Sequence, residues 1–359
     1  MHMESIYSLF RFDGQVISCA RYGSGHINQT YLVVTARARL YILQKLSTQA
    51  FKNIPGLMSN IIAVTAHLRR QCSDPRRALN LIPTVQDQLY LTTENGEYWR
   101  AYDFVLDSLC LDKAESAQDL YQSGMAFGQF QNQLADFPAE TLTETIPHFH
   151  DTPDRFRLFH QAIEENRAGR LDGVRDEVAR YLRREGDAGC LMALCREGSL
   201  PLRVTHNDTK LNNVMLDAAD RTPLCVIDLD TVMPGLAAND FGDSIRFGAS
   251  TAAEDEKDLS KVSMSLALFE AYAAGFLKAC GKRLTPLEIQ TLPWGARLMT
   301  LECGVRFLTD YLNGDTYFHT HYPEQNLDRC RTQITLVEDM ERKWDDMNAI
   351  IARLSQTSC

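Results

Sequence analysis

The stretch VTHNDTKLNNVMLD, residues 204–217, places polar side chains that are suited to catalysis between apolar residues. Transfer of a phosphoryl group needs an aspartate that orients the acceptor hydroxyl and takes its proton, a cation near the migrating group, and an oxygen ligand for magnesium. Asp208, Lys210 and Asn213 offer these three groups within one short loop. The stretch therefore predicts Asp208 and Lys210 as catalytic residues and Asn213 as a metal ligand.

A second carboxylate follows in CVIDLDTVMPG, residues 225–235. Asp228 ends an apolar strand, where it is placed to bind the magnesium ion that bridges nucleotide phosphates, with Asp230 as a candidate assistant. Counted from His206, the first loop has the H-x-D-x-K-x-x-N spacing of protein-kinase catalytic loops, and Asp228 comes 20 residues after Asp208 (228 − 208). A polar loop that only caps turns would explain one such segment, but the two together favour catalysis.

The letters DFG occur at residues 240–242, but they are not predicted to bind the metal. They lie 32 residues beyond Asp208 (240 − 208) and open a helical pattern, DFGDSIRFG, whereas the metal-binding aspartate should end a strand. We expect Asp240 or Asp243 to hold the backbone of the catalytic loop by hydrogen bonds.

These residues need a scaffold, and the pattern of the chain changes near residue 107. Before it, the runs QVISCARY, QTYLVVTA and RLYILQKL predict a three-strand meander, and Asn95-Gly96 predicts a hairpin. One amphipathic helix over residues 53–71 interrupts the strands. The sequence therefore predicts a bilobal α+β fold, with a small β-rich lobe over 1–106 and a larger, mainly helical lobe over 107–359.

Apolar residues at helical spacing predict most of the second lobe. Two short strands, NVML and LCVIDLD, interrupt it beside the metal-ligand candidates. Thr285, Pro286 and Glu288 form a capping-box signature at the start of one helix. The predicted helices cover residues 117–136, 154–185, 256–280, 286–313 and about 327–355.

The first lobe is expected to bind the nucleotide. Between the first two strands, Gly23, Ser24 and Gly25 would let backbone amides approach phosphates, although a plain hairpin turn explains the same residues equally well. In YILQKL, either Gln44 or Lys45 is the candidate anchor for the α- and β-phosphates, because strand alternation lets only one of them point inward.

A hinge between the lobes is expected at residues 104–106. Adenine is usually held at such a hinge by backbone groups, which makes Phe104 and Leu106 the candidates for this contact. Trp99 and Tyr102, which lie nearby, are predicted to be core residues rather than an adenine platform.

Composition limits the classes of partner. With 47 acidic and 37 basic residues, a net charge of −10 argues against nucleic acid as a partner, since counterion release needs a basic face. The amino terminus lacks the pattern of a secretory signal, and no apolar run is long enough to span a membrane. The ten cysteines are scattered, and the pairs His148/His150 and His319/His321 have no partner at zinc-ligand spacing. We expect a cytoplasmic protein, either a monomer or a weak homodimer.

The segments HNDTKLNN, IDLDTVMPG and DFGDSIRFGAS, in this order and spacing, resemble the aminoglycoside phosphotransferase and choline kinase superfamily, which has a protein-kinase-like fold. The similarity is closest to its N-acetylhexosamine 1-kinases. It extends to YGSGHINQTYLV, LTETIPHFHDTP and LECGVRFLTDYLNGDTYF, and so to nearly the whole chain. The resemblance implies that the γ-phosphoryl group of ATP is transferred, with Mg²⁺, to the anomeric hydroxyl of N-acetylglucosamine or N-acetylgalactosamine.

The same resemblance implies residue roles. Asp208 would be the base, Asn213 and Asp228 would hold magnesium, and Arg306 and Tyr317 would line the sugar site. An arginine and a phenol can hydrogen-bond several ring hydroxyls. From the residue pattern alone, however, Arg306 reads as a helix residue that is solvated or paired with an acid one turn earlier.

Two alternatives stay open. One is a kinase of the same fold that acts on another alcohol, such as choline, homoserine or an aminoglycoside. A cationic acceptor would need clustered acids and an aromatic cage, for which Asp310, Asp315, Tyr311 and Tyr317 are candidates. The other is a non-catalytic nucleotide-binding scaffold, which would have no need to keep Asp208, Asn213 and Asp228.

Overall fold

The computed structural model describes residues 3–23 and 27–357 of the mixed α+β chain. The chain divides into two compact units. The first comprises residues 1–110, 136–147 and 214–233, and the second comprises 111–135, 148–213 and 234–359. Sequence analysis drew one boundary between residues 106 and 107. The first unit includes later segments because strands from residues 108–110, 214–217 and 223–226 pair in a single sheet.

The strands are short and antiparallel. The first unit contains a five-stranded sheet in the order β1-β2-β3-β5-β4 and a three-stranded sheet in the order β6-β8-β9. The predicted meander and hairpin are present, and Gly96 takes the positive φ that its turn requires. The strands are β1 (Val16–Arg21), β2 (Gln29–Thr35), β3 (Leu40–Lys45), β4 (Leu91–Thr92), β5 (Tyr98–Asp103), β6 (Ser108–Cys110), β7 (Arg203–Thr205), β8 (Val214–Asp217), β9 (Pro223–Val226) and β10 (Met233–Gly235).

The two faces of the five-stranded sheet differ. Leu43 on β3 and Trp99 and Ala101 on β5 point to one face, where they pack with Ile6 and Phe10. Because successive side chains of a strand point to opposite faces, residues 44 and 100 lie on the other face of the sheet. Tyr102, on that opposite face, is also buried, so the prediction that Trp99 and Tyr102 are core residues is confirmed.

Helix α2 (Ile54–Gln71) belongs to the first unit and begins as its sequence predicts. The Asn53 side chain accepts a hydrogen bond from the backbone of Gly56, and Pro55 occupies the first turn, where its missing N–H costs nothing. Its apolar stripe, including Leu57, Ile61 and Val64, is buried.

Helices form most of the second unit. The capping box at Thr285 is present, and the long helix that it starts has the predicted bounds. Apart from α1 (Met3–Tyr7) and α2, the helices are α3 (Ala117–Gln133), α4 (Thr152–Glu165), α5 (Arg175–Leu182), α6 (Cys190–Arg196), α7 (Ala237–Gly248), α8 (Leu266–Cys280), α9 (Pro286–Asn313), α10 (Gln325–Arg342) and α11 (Trp344–Thr357). None of the helices in the described residues has both the length and the apolar character that crossing a membrane requires.

Three helix predictions were wrong in their bounds. The predicted helix over 154–185 is broken after α4, where Asn166 and Gly169 adopt left-handed conformations. The predicted helix over 256–280 begins only after Ser265, whose side chain caps α8. The predicted helix over 327–355 is two helices, α10 and α11, which meet at Lys343.

Helices α7 and α9 approach each other closely through glycines. A Cβ atom on Gly242 would lie 2.2 Å from the carbonyl oxygen of Gly295, and one on Gly295 would lie 1.9 Å from the carbonyl oxygen of Ala238. Neither position has room for a larger residue. The crossing matters for the site because α7 contains Asp240 and Asp243, and α9 contains Arg306.

Candidate active site

The loop after β7 is held by two buried carboxylates of α7. Asp240 accepts hydrogen bonds from the backbone N–H groups of His206 (2.9 Å) and Asn207 (2.8 Å), and Asp243 accepts one from Thr209 (2.9 Å). Burial raises the pKa of Asp240. The prediction that Asp240 or Asp243 holds the catalytic-loop backbone is therefore confirmed, and both residues do so.

The imidazole of His206 is an internal support of the loop. It is fully buried and makes edge contacts with the rings of Phe127 and Phe130. Its Nδ1 accepts a 3.3 Å hydrogen bond from the backbone N–H of Asp208. Asn207, between them, has a φ of 63°, a conformation that asparagine tolerates better than most residues. These contacts fix the backbone immediately before Asp208.

Three of the predicted residues meet at the Asp208 carboxylate. Its Oδ1 lies 2.7 Å from Nζ of Lys210, and its Oδ2 accepts a 3.1 Å hydrogen bond from Nδ2 of Asn213. The same amide group donates to the backbone carbonyl of Asp208 at 2.8 Å. Burial alone would lower the pKa of Lys210, but the charges of Asp208 and Asp243 raise it, which keeps the lysine cationic. The Asp208 carboxyl group is thus held in a fixed direction by contacts at both of its oxygens.

The other predicted metal ligand, Asp228, lies in the first unit, just after β9. It is exposed, and its φ of 58° is unusual for a residue other than glycine. Such backbone conformations concentrate at functional positions. Asp230, the candidate assistant, is only 3% exposed and accepts hydrogen bonds from Arg100 and from Asn28. Its carboxylate is therefore engaged with protein groups and buried, whereas Asp228 is an exposed residue.

The register of β3 and β5 shows whether Gln44 or Lys45 lies on the face of the sheet that contacts Asp230. Gln44 is directly opposite Arg100 in the β3–β5 ladder, and its Oε1 accepts a 2.9 Å hydrogen bond from Arg100 Nε. Lys45 points to the other face, where it forms a salt bridge with Glu97 and lies beside the ring of Trp99. The basic side chain on the Gln44 face is therefore Arg100, which sequence analysis missed.

The remaining nucleotide candidates lie at the ends of strands. Gly23 has a φ of 74° and open space around its Cα, while Ser24 and Gly25 lie outside the described residues. The Tyr22 ring contacts the Phe104 ring edge-on at 5.9 Å, and Leu106 is exposed. The first unit therefore presents an aromatic pair beside the predicted hinge.

Arg306 and Tyr317, the predicted sugar residues, are neighbours in the second unit. The Arg306 guanidinium lies over the rings of Phe149, Tyr317 and Phe318, at 5.4 to 5.9 Å from their centres. Tyr317 is 70% exposed. A partly buried cation with aromatic rings around it, one of them open to solvent, is a surface that can bind a polar ring.

Glu302, one turn before Arg306 on α9, has other hydrogen-bond partners. His150 Nδ1 lies 3.0 Å from its Oε1, and Thr152 donates to its Oε2 at 2.8 Å. The other nitrogen of His150 lies 3.3 Å from the carbonyl oxygen of Asn207 in the catalytic loop. Burial by itself would lower the pKa of His150, but the Glu302 carboxylate raises it, which favours the protonated ring. This chain of contacts links α9 to the catalytic loop.

The donor chemistry fits a hard divalent cation. In the second unit, Asn213 uses its amide nitrogen on Asp208, which leaves the amide oxygen as its candidate metal ligand. In the first unit, the carboxylate of the exposed residue Asp228 is the other candidate ligand. Magnesium prefers such oxygen ligands and keeps water and phosphate oxygens in its remaining positions. Within residues 3–23 and 27–357, no group of three or more His, Cys, Asp and Glu side chains is arranged to hold a metal by itself.

The sequence matches the model of a known family, the Phosphotransferase enzyme family (APH), over residues 18–277. The chain belongs to this family. The matched range includes the catalytic loop, Asp228 and α7, and it ends before Arg306 and Tyr317. The match therefore covers the segments that contain the predicted catalytic and metal-binding residues and does not reach the predicted sugar residues.

Solved structures of phosphotransferases share the fold. A microcompartment-associated aminopropanol kinase is 15% identical, with 96% of this chain and 97% of that chain covered and a TM-score of 0.59. The amicoumacin kinase hAmiN, solved with AMP-PNP, Ca²⁺ and Ami, is 11% identical, with 93% of each chain covered and a TM-score of 0.62. Choline kinase from Cryptosporidium parvum Iowa II is 13% identical, with 93% and 91% covered and a TM-score of 0.57. The chain therefore has the fold of these kinases.

Proposed function

We propose that this phosphotransferase uses ATP and Mg²⁺ to phosphorylate an N-acetylhexosamine, N-acetylglucosamine or N-acetylgalactosamine, at its anomeric C1 hydroxyl. The observation that carries the kinase assignment is the Asp208 carboxylate, fixed by Lys210 and Asn213 on a loop that α7 holds in place. In this role Asp208 orients the acceptor hydroxyl and takes its proton. A non-catalytic scaffold would not need this arrangement.

The roles on the nucleotide side are proposed as follows. Asn213 and Asp228 bind the magnesium ion, which neutralises charge on the phosphates as the phosphoryl group moves. Lys210 adds positive charge next to the reacting group. The backbone of Phe104 and Leu106 holds adenine. Backbone amides at Gly23, Ser24 and Gly25 approach the phosphates, where glycine leaves room for them.

The acceptor side favours a neutral polyol over a cationic alcohol. The acids that would cage a cation are engaged elsewhere: Asp310 accepts the backbone N–H groups of residues 316–318, and Asp315 is paired with Arg170. The same arginine lies over the ring of Tyr311. What stays at this end of α9 is Arg306 with its aromatic rings, a set of donors and flat apolar surfaces that suits sugar hydroxyls and ring faces.

The activity is tested by offering MgATP with a panel of N-acetylhexosamines, choline, homoserine and aminopropanol. ADP release is followed beside a reducing-sugar assay, and products are identified by mass and phosphorus NMR. Phosphorylation at C1 removes the reducing end, whereas phosphorylation at another hydroxyl leaves it. ADP release with the reducing sugar intact would contradict an anomeric kinase, and turnover of choline alone would favour the cationic alternative.

The site is tested by Arg306→Ala. Loss of a charged donor to the sugar should lower kcat/KM for the sugar roughly ten- to a hundredfold, or about 1.5 to 3 kcal/mol, and leave ATP affinity unchanged. Arg331→Ala is the matched control, because Arg331 on α10 is paired with Glu177 and is not assigned to the site. Equal sugar kinetics in the two variants would remove Arg306 from the sugar site.

A further inference from the structure

The face of the five-stranded sheet that carries Gln44 has a buried cation. Arg100 is opposite Gln44 in the register of β3 and β5, and only 1% of it is exposed. A buried guanidinium stays charged and needs acceptors for its fixed N–H groups. Arg100 uses Nε on Gln44 and Nη1 on Asp230. The cation is thus bound to the turn that follows β9.

Neighbouring side chains complete this network. Gln44 donates its own amide to Thr30 on β2, at 3.0 Å. Asn28 donates to the second oxygen of Asp230 at 2.6 Å, and its Oδ1 accepts the backbone N–H of Ser47. Both oxygens of Asp230 are therefore held by groups whose own positions are fixed by strands and their ends.

Asp228 lies two residues before Asp230 on the same turn. On the far side of Asp230, the carbonyl oxygen of Val232 accepts a 3.0 Å hydrogen bond from Asn60 on α2. The turn is thus held at residues 230 and 232, while Asp228 keeps its left-handed backbone and exposed carboxylate. Burial alone would lower the pKa of Arg100, but the negative charges of Asp230 and Asp228 raise it.

We propose that Arg100 is a positioning residue for Asp228: through Asp230 it fixes the turn from which the Asp228 carboxylate meets the divalent cation of the nucleotide. This role differs from the phosphate contact for which Gln44 and Lys45 are the candidates. This inference rests on the proposed function only in that Asp228 binds a nucleotide-bound metal; the sugar is not involved. Groups that orient a metal ligand typically alter metal affinity ten- to a hundredfold when they are removed.

The test compares ADP binding by calorimetry with and without saturating Mn²⁺, so that the ratio of the two dissociation constants measures the metal's contribution. In the wild type we expect Mn²⁺ to strengthen ADP binding, and in Arg100→Met we expect about tenfold or more of this strengthening to be lost. Arg100→Lys should recover part of it, because an ammonium keeps the charge but not the two-sided fork. Arg76→Met, which breaks an ion pair with Asp217 in the same unit, should keep the wild-type ratio.

Loss of fold is separated from loss of positioning by a double variant. Arg100→Met leaves the Asp230 charge buried, whereas Arg100→Met with Asp230→Asn removes both charges and should regain thermal stability. The metal ratio should stay low in the double variant, because the turn still lacks its bond to Arg100. The proposal is overturned if the folded double variant has the wild-type ratio of ADP dissociation constants. It is also overturned if Lys45→Met, and not Arg100→Met, loses the strengthening of ADP binding by Mn²⁺. A wild type without any metal effect also overturns it, while the sugar assay still decides the proposed function.

Discussion

At the scale of single residues, the Asp208 carboxylate is held at both of its oxygens. Lys210 and Asn213 fix its direction, and the buried His206 anchors the backbone just before it. A general base in a fixed direction typically contributes a factor of about 10² to 10⁴ to the rate. The charge on Asp208, and not the shape of its side chain, is the part that proton transfer needs.

Asp208→Asn should therefore bind nucleotide as the wild type does and lose turnover by at least about a hundredfold. The amide keeps the size of the side chain but cannot take a proton. Steady-state ADP release gives the rate, and calorimetry gives nucleotide affinity. Asp220→Asn, in an exposed turn of residues 217–222, is the control and should keep full activity. Turnover within a few-fold of wild type would exclude Asp208 as the base.

The sequence indicates contacts between residues best where those residues are close together in the chain. Asp208, Lys210 and Asn213 lie within one loop, so their spacing alone indicates their contacts. Arg100 and Asp230 are 130 residues apart, and Asn28 and Asp230 are 202 apart. Nothing in either segment marks the other as its partner. Strand alternation left Gln44 and Lys45 undecided because the two faces of the sheet are told apart only by what packs on them.

At the scale of elements, helices α7 and α9 cross closely, and residues of both helices support the loop that follows β7. Asp240 and Asp243 on α7 hold the catalytic loop, and Glu302 on α9 reaches the same loop through His150. The crossing is close because Gly242 and Gly295 leave no side chain between the helices.

Gly242→Ala should force the two helices apart, since its Cβ would meet backbone that cannot rotate away. We expect a loss of about 1 to 3 kcal/mol in the free energy of unfolding, as for other overpacked sites, together with slower turnover. Urea denaturation and ADP release measure the two effects. Gly186→Ala is the matched control, because a Cβ there meets nothing within 4 Å. An unchanged stability of Gly242→Ala would show that the helices can separate freely.

Element prediction was best where local signals are strong. The capping box at Thr285 gave the start of α9, and the glycine at its end, Gly314, closes the helix with a positive φ. The breaks at Asn166 and Lys343 were missed because apolar spacing continues across them. A helix pattern reports which face is buried, but it does not report whether the axis changes direction.

At the scale of the whole molecule, 47 acidic residues make stability depend on pH, and buried carboxylates set the acid limit. Asp339 on α10 is one of them. It accepts hydrogen bonds from Ser263, from the backbone of Met264 and from Lys343, each at 2.7 to 2.8 Å. Burial alone would raise its pKa, but these donors lower the pKa to about 2.

A carboxyl group with a lowered folded pKa stabilises the fold above its unfolded pKa of about 4, and this contribution is lost as pH falls toward 2. Asp339→Asn should therefore cost about 2 kcal/mol of unfolding free energy at pH 6 and roughly half of that at pH 3. Denaturant titrations at the two pH values measure the difference. Asp172→Asn, on an 88% exposed side chain, should give no such pH-dependent difference. A cost for Asp339→Asn that is equal at both pH values would assign it to packing instead.

The mixed α+β architecture was predictable from the change in periodicity near residue 107, because strands and helices bury apolar residues at different spacings. The composition of the first unit was not. Residues 214–233 belong to it because β8 and β9 complete a sheet with β6. Strand pairing between distant segments leaves no mark in either segment's pattern.

The placement of Lys45 has a practical consequence for chemical labelling. Reagents that deliver an acyl group from a nucleotide to a lysine depend on an amine beside the phosphates. In this chain the basic group on the Asp230 side of the sheet is a guanidinium, which stays protonated and is a poor target for acylation, while the Lys45 amine lies on the other face with Glu97. Lysine acylation at Lys45 would therefore not report on the face of the sheet that contacts Asp230, and Arg100, which is only 1% exposed, is itself shielded from reagents directed at arginine.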